Sequence, residues 1–329
     1  MTRILIITGP GGDAQGWGNL EVTKTLCAAL NTKGKSAEIA FVETMADFMA
    51  AIEDRKYDIV WSALYYISDR KDVIGLNVDE DAWLADIFDK KEIPYIGPNS
   101  MSMKQVINKT WTHQILHAHQ VAVPAHHSVE IGEAVPDVAF PAFVKPGFES
   151  RSVGISDDSV VYTPEALEAR VRHIHRTYEQ PALIEDYLPG PEYTVLMIGN
   201  GDYQEFLPGV VAVEGGRYGK YPVLRSDMRG VGITKIRIPE TRSDEAKALC
   251  KAAVDALHCL DHVRVDMRVD TRDGLRIIEV NGIPGLKPVK SWSPQIYSLY
   301  HRSPEGSMEE YRQLVHTIVD SALGRYPLR

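Results

Sequence analysis

The chain has 329 residues, 44% of them hydrophobic, and carries a net charge of −9. That length can bury the core of two or three domains, and the acidic balance, with its lysines and arginines scattered, argues against a nucleic-acid binder held through phosphate contacts. Cys27, Cys250 and Cys259 are widely spaced or set in helix-like sequence; they suggest neither a disulfide framework nor a zinc knuckle, so a reducing, cytoplasmic setting is expected. The apolar run near Met1 is too short for a secretory signal, and no segment approaches the roughly 20 apolar residues that span a bilayer.

In chain order, residues 3–8 read as a short buried strand running into GPGGDAQGWGNLE, a glycine-rich loop before a helix over 19–33. The glycine spacing does not match the dinucleotide fingerprint. A strand over 36–42, a helix over 45–55, a strand over 58–62 and a helix over 81–91 follow, and residues 94–96 close the unit. This alternation predicts a small parallel sheet with helices on both faces. Residues 99–120 read as one helix leading to VAVP. It carries His113, His117 and His119, which have no acidic partner at motif spacing and are expected on the helix surface. A strand over 140–145, the small-residue loop PGFESRSVGIS and a second strand come next, then a helix over 163–178 with Pro164 in its first turn. Strands are expected over 182–188, 192–198 and 205–213. Residues 215–232, rich in glycine, arginine and tyrosine, predict a mobile loop that closes over a site. A helix over 241–258 precedes a hairpin, and a helix over 307–323 ends the pattern.

The hairpin concentrates the chemistry. HVRVDMRVD (262–270) and LRIIEVN (275–281) both alternate as strands, joined by the turn TRDG. Residues two apart on a strand share a face, so Arg264 and Asp266 point together, as do Glu279 and Asn281. Pairing the strands gathers all four. Two carboxylates and an amide oxygen are hard ligands suited to Mg²⁺ carrying a nucleotide phosphate, and an arginine beside them stabilises charge on a transferring phosphoryl group. Gly282, Pro284 and Gly285 then break the strand into a backbone-exposed loop.

FVKPGFESRSVGIS (143–156), LIEDYLPGPEYTV (183–195), VRVDMRVD (263–270) and IIEVNGIPG (277–285), in this order, make the chain resemble the ATP-grasp superfamily, and within it the D-alanine–D-alanine ligases. The resemblance implies an α/β (α+β ATP-grasp) fold with a parallel N-terminal domain (1–99), a central subdomain (100–181) and a C-terminal subdomain with the metal and phosphoryl-transfer site (182–329). It implies an ATP-dependent ligase that joins amino acids through an acyl phosphate, with ATP and Mg²⁺ (two ions, or Mn²⁺) and a homodimeric state. It points to small-molecule amino-acid substrates, with no nucleic-acid or membrane partner. By the same resemblance Lys109, Lys145 and Lys220 contact the nucleotide phosphates. Glu185, Tyr187 and Leu188 cradle the adenine, and Glu192 binds the ribose. Asp266, Glu279 and Asn281 hold the metal. Arg264 and the Gly285 N–H stabilise the intermediate, and Glu21 holds the donor's ammonium.

Departures from the family pattern cluster where substrates are expected. In place of a paired serine stand Arg151 and Ser152, so the link beside the donor becomes Glu21, Arg151 and Tyr221. Tyr65 or Tyr66 replaces a histidine, Asp186 replaces a lysine at the adenine linker, and GLKPVKSWSP replaces a serine- and threonine-rich acceptor segment, bringing Lys287, Lys290 and Trp292. The expectation is retained ligation chemistry with an altered acceptor. The alternatives are a ligase acting on a non-amino-acid carboxylate and a catalytically silent nucleotide-binding module.

Overall fold

The computed structural model describes residues 1–67, 83–216, 218–228 and 233–326. The chain begins β1 (Thr2–Thr8), α1 (Gly12–Gln15), α2 (Leu20–Leu30), β2 (Lys35–Phe41), α3 (Met45–Glu53), β3 (Ile59–Ser62) and α4 (Leu84–Lys90). The three strands form a parallel sheet in the order β2-β1-β3. β1 is apolar on both faces, as a covered parallel strand must be: Ile4 and Ile6 enter one core while Leu5 and Ile7 enter another with Phe48 and Phe88. Asn19 caps α2 by accepting from the Val22 N–H, and Thr44 with Asp47 forms a capping box on α3.

Next come α5 (Ser100–Ile107), α6 (Lys109–Ala118), β4 (His126–Val129), β5 (Ala142–Pro146), β6 (Val160–Val161), α7 (Pro164–Tyr178) and β7 (Ala182–Asp186). The helix expected as continuous over 99–120 is broken at Asn108. Its side chain accepts from the Trp111 N–H and starts a new helix, a better use of an asparagine than a helix interior. The break makes Lys109 the first residue of α6. The four strands form an antiparallel sheet ordered β4-β7-β5-β6, so residues 182–186 belong with the central strands and the expected division at 181/182 cuts through a sheet.

The last part contains β8 (Glu192–Ile198), β9 (Glu205–Val213), β10 (Thr234–Arg237), α8 (Ser243–Ala256), β11 (His262–Val269), β12 (Leu275–Asn281), α9 (Trp292–Tyr300) and α10 (Ser307–Leu323). Its five strands are ordered β10-β9-β8-β11-β12, all antiparallel. The sequence pattern announces no counterpart of β4, β10 or α9. Asp81, Ala82 and part of the expected 215–232 loop lie outside the described residues. Every residue of β11 is buried: Val263, Val265, Met267 and Val269 enter a core, while Arg264, Asp266 and Arg268 line the opposite face. Among the described residues no helix is long and apolar enough to cross a membrane.

Candidate active site

The β11–β12 pairing sets Arg264 opposite Asn281 and Asp266 opposite Glu279, one residue off the register that runs up from the turn. The ladder then slips: Met267 faces Ile277, leaving Ile278 as the extra residue of a bulge. A bulge re-aims what it carries, and the freed Ile278 carbonyl accepts from Lys145 Nζ at 3.0 Å.

Two clefts meet at this hairpin. The first, about 750 Å³ including its open mouth, is lined by Lys109, Lys145, Glu185, Leu188, Asp266 and Glu279 among others. The second, of about 1190 Å³, takes in Trp17, Arg151, Arg264, Asn281, Gly285 and Trp292. Asp266 and Glu279 face one cleft and Arg264 and Asn281 the other. The hairpin is therefore the wall through which the two sites communicate.

Within the wall, Arg264 donates to both oxygens of Asp266 at 2.8 and 2.7 Å. Thr194 Oγ1 donates to Asp266 at 2.6 Å and Asn281 Nδ2 at 3.1 Å. The guanidinium also lies 4.9 Å from the centre of the Trp292 ring, a cation–π contact that is strengthened by burial. Burial works against the Arg264 charge, but Asp266 and then Glu279 outweigh it and hold the guanidinium protonated. The result is a fixed positive charge aimed at the second cleft.

The first cleft holds a chain of buried charges. Lys109 Nζ lies 3.3 Å from Glu279 Oε1 and donates to the Glu149 carbonyl. Burial presses its ammonium down; Glu279 works against that, and Lys145 adds repulsion. Lys145 Nζ lies 2.9 Å from Glu185 Oε1, which also meets His113 Nε2 at 2.5 Å. Burial pushes the Glu185 carboxyl up, but Lys145 and His113 prevail and hold it at about 2. His113 itself is kept down chiefly by burial. Asp186, Tyr187, Leu188 and Glu192 line the same cleft, with Glu192 4.0 Å from Arg268. Val223 and Leu224, from the segment expected to close, reach into it as buried side chains.

A family model described as the D-ala D-ala ligase C-terminus matches residues 113–320, more than half of the chain. The chain belongs to this D-alanine–D-alanine ligase family. It is accordingly an ATP-dependent ligase with the ATP-grasp fold. The D-alanine–D-alanine ligase of Desulforudis audaxviator is 26% identical over 295 residues, covering 87% of this chain and 90% of that protein. The Bacillus anthracis D-alanine–D-alanine ligase complexed with ATP has a TM-score of 0.72 at 18% identity, covering 99% of this chain and 98% of that one. The VanG D-Ala:D-Ser ligase from Enterococcus faecalis has a TM-score of 0.68 at 18% identity, covering 98% and 99%.

Against the family pattern, several expected residues sit elsewhere. Glu21 points to solvent, 76% exposed and paired with Lys24 at 2.7 Å, and does not line either cleft. The apolar stripe of α2, Val22, Leu26 and Leu30, faces the core, which turns Glu21 away. Lys220 and Tyr221 line a surface pocket with Asp157 instead of the clefts. The Asp157 carboxylate accepts from both their N–H groups at 3.0 and 3.4 Å, and the Tyr221 ring stacks on Tyr162. Ser152 is buried in the first cleft, and Arg151 in the second pairs with Asp13 at 2.7 Å. Gly285, Lys287 and Lys290 line the second cleft. A Cβ on Gly285 would meet Ser291 Oγ at 2.8 Å, so a larger residue there would require the serine side chain to move.

His113 was expected on the surface and is fully buried against Glu185. It lies one turn beyond Lys109, on the face of α6 that carries Thr112 and Leu116 inward; that spacing was the available signal. Thr194 had none, since it meets Asp266 only through the β8–β11 register.

Proposed function

We propose that this ligase activates a donor carboxylate by transfer of the ATP γ-phosphoryl group and passes the resulting acyl group to the amine of an amino acid that is not D-alanine. The observation that carries the reading is the hairpin wall, with a carboxylate pair on the nucleotide side and a fixed guanidinium on the other. In this reading Mg·ATP occupies the first cleft. Lys109 and Lys145 meet the phosphates, residues 185–188 meet the base and Glu192 meets the ribose. Asp266, Glu279 and Asn281 offer hard oxygens, the donor set Mg²⁺ favours. The fit is supported by Glu279, which lines the cleft and meets Lys109 Nζ at 3.3 Å through Oε1. Bound there, the ions would neutralise phosphate charge.

The donor carboxylate oxygen attacks the γ-phosphorus and ADP leaves. The amine nitrogen then attacks the acyl carbon, and phosphate departs from the tetrahedral intermediate. Arg264 and the Gly285 N–H are the proposed donors to the charge that develops, preorganised in a wall that does not have to rearrange. Carboxylate is a poor electrophile, and the acyl phosphate must be kept from water; Val223 and Leu224 over the first cleft serve that need.

Lys287 and Lys290 at the rim and Trp292 within the second cleft support an acceptor with an added anionic group. We further propose a division into 1–99, 100–188 and 189–329, moved so that β7 stays with its sheet, and a cytoplasmic homodimer by resemblance. The test is phosphate release with product mass spectrometry on pooled D- and L-amino acids. One amide formed per ADP is expected. Robust turnover with D-alanine alone would sink the altered acceptor, and tight Mg·ATP binding without any product would sink the ligase.

A further inference from the structure

We propose that the donor acid of this enzyme carries no α-ammonium group and bears a second anionic group instead, a dicarboxylic acid being the simplest case. The proposal rests on the ligase reading above and concerns the second cleft. An ammonium needs acceptors for three N–H groups and a compensating negative charge. Among the described residues lining this cleft, Asp13 is the sole carboxylate, set against Arg151, Arg264, Lys287 and Lys290. Asp13 is ion-paired: Arg151 Nη1 donates to its Oδ2 and to its backbone carbonyl, each at 2.7 Å, which offsets its charge. Glu21, the acid expected to serve, faces solvent beside Lys24.

Two neutral acceptors of the cleft, Gln15 and Asn19, are engaged as well. Gln15 Oε1 receives the Tyr65 N–H at 2.8 Å and the Tyr66 N–H at 3.3 Å. Asn19 Oδ1 receives the Val22 N–H at 3.2 Å. Donors, by contrast, remain. Arg151 uses one of its terminal nitrogens on Asp13, and the planar fork of a guanidinium has further N–H groups with which to take a second carboxylate. The loop holds this side chain deliberately. Arg151 and Ser152 both have left-handed backbone, φ 56° and 60°, a conformation costly for residues other than glycine and kept where surroundings enforce it. Ser150 Oγ ties the loop to the Ala14 carbonyl at 3.1 Å.

Hydroxylamine separates donor choice from acceptor choice. The donor and Mg·ATP give acyl phosphate and ADP. Hydroxylamine nitrogen then attacks the acyl carbon, phosphate leaves with the C–O bond, a proton is released, and a hydroxamate is read by mass. With the full-length enzyme, succinate is expected to exceed D- and L-alanine in kcat/KM by about tenfold or more, the scale of one charge-assisted contact. Arg151→Gln is expected to erase most of that preference while leaving the KM for ATP within about twofold, because Arg151 lies outside the nucleotide cleft. Asp13→Asn is expected to raise kcat/KM for succinate by releasing the guanidinium. Hydroxamate formed preferentially from either alanine, or lost on Asp13→Asn, overturns the proposal and leaves the ligase intact. ATP bound without hydroxamate from any acid removes the ligase reading and the proposal with it.

Discussion

Replacing Glu185 by glutamine probes the buried charges behind the nucleotide cleft. Glu185 is fully enclosed, and its carboxyl is held at about 2 against an ordinary value of 4.5. A folded-state value below the unfolded one means stability that is present above pH 4.5 and lost as pH falls toward 2. At about 1.4 kcal/mol per unit, that gap is worth about 3 kcal/mol at neutral pH. The same size is expected from the other direction, because removing the charge strands Lys145 beside a neutral partner, and breaking a buried pair costs roughly 3–5 kcal/mol. Thermal and urea unfolding of Glu185→Gln beside the parent is the assay. At pH 7 the expected deficit is about 3 kcal/mol, or roughly 5 °C or more in Tm for a chain of this size. The deficit is expected to hold down to pH 4.5 and shrink below it as the parent's carboxylate is protonated. A variant as stable as the parent at pH 7, or a deficit unchanged between pH 7 and pH 3, refutes the reasoning.

Other perturbations address the chemistry. Glu279→Gln is expected to lower kcat by about 100-fold or more, since the metal site loses a charge; ADP release at the parent rate contradicts the metal assignment. Arg264→Lys keeps a charge but not the two-point grip on Asp266, and is expected to lower kcat far more than the affinity for ATP measured by calorimetry. Thr194→Val removes the 2.6 Å bond to Asp266 and is expected to cost about 1.5–3 kcal/mol of stability by urea titration, the worth of a hydrogen bond to a charged group. Lys287→Ala with Lys290→Ala is expected to raise the acceptor KM by about tenfold with the KM for ATP unchanged, because neither lysine lines the nucleotide cleft.

The hairpin is the part of the candidate site most legible in the sequence. The period-two pattern of β11 and β12 and the turn between them mark the two strands as a pair, but the register of Arg264 with Asn281 and Asp266 with Glu279 depends on the bulge at Ile278. The bulge at Ile278 was not legible, because slipping a ladder by one residue leaves no mark in the alternation. Glu21 is the converse case. The stripe of Val22, Leu26 and Leu30 marks the buried face of α2 and sets Glu21 off it, yet the likeness to a family motif outweighed that periodicity. In α6 the break at Asn108 reads as an ordinary cap, but the consequence, Lys109 and His113 turned together toward a cleft, depends on where the helix docks.

The sequence by itself determined most of the element order, the parallel N-terminal sheet and the two strands of the hairpin, since period, capping and turn chemistry act between neighbours. Only the tertiary structure decided which charges meet. Lys109 finds Glu279, Lys145 finds Glu185 and His113 joins them. Each pair joins separate helices or strands, and their approach is set by sheet order and helix docking. Those are properties of the packed whole, and a local pattern carries no record of them.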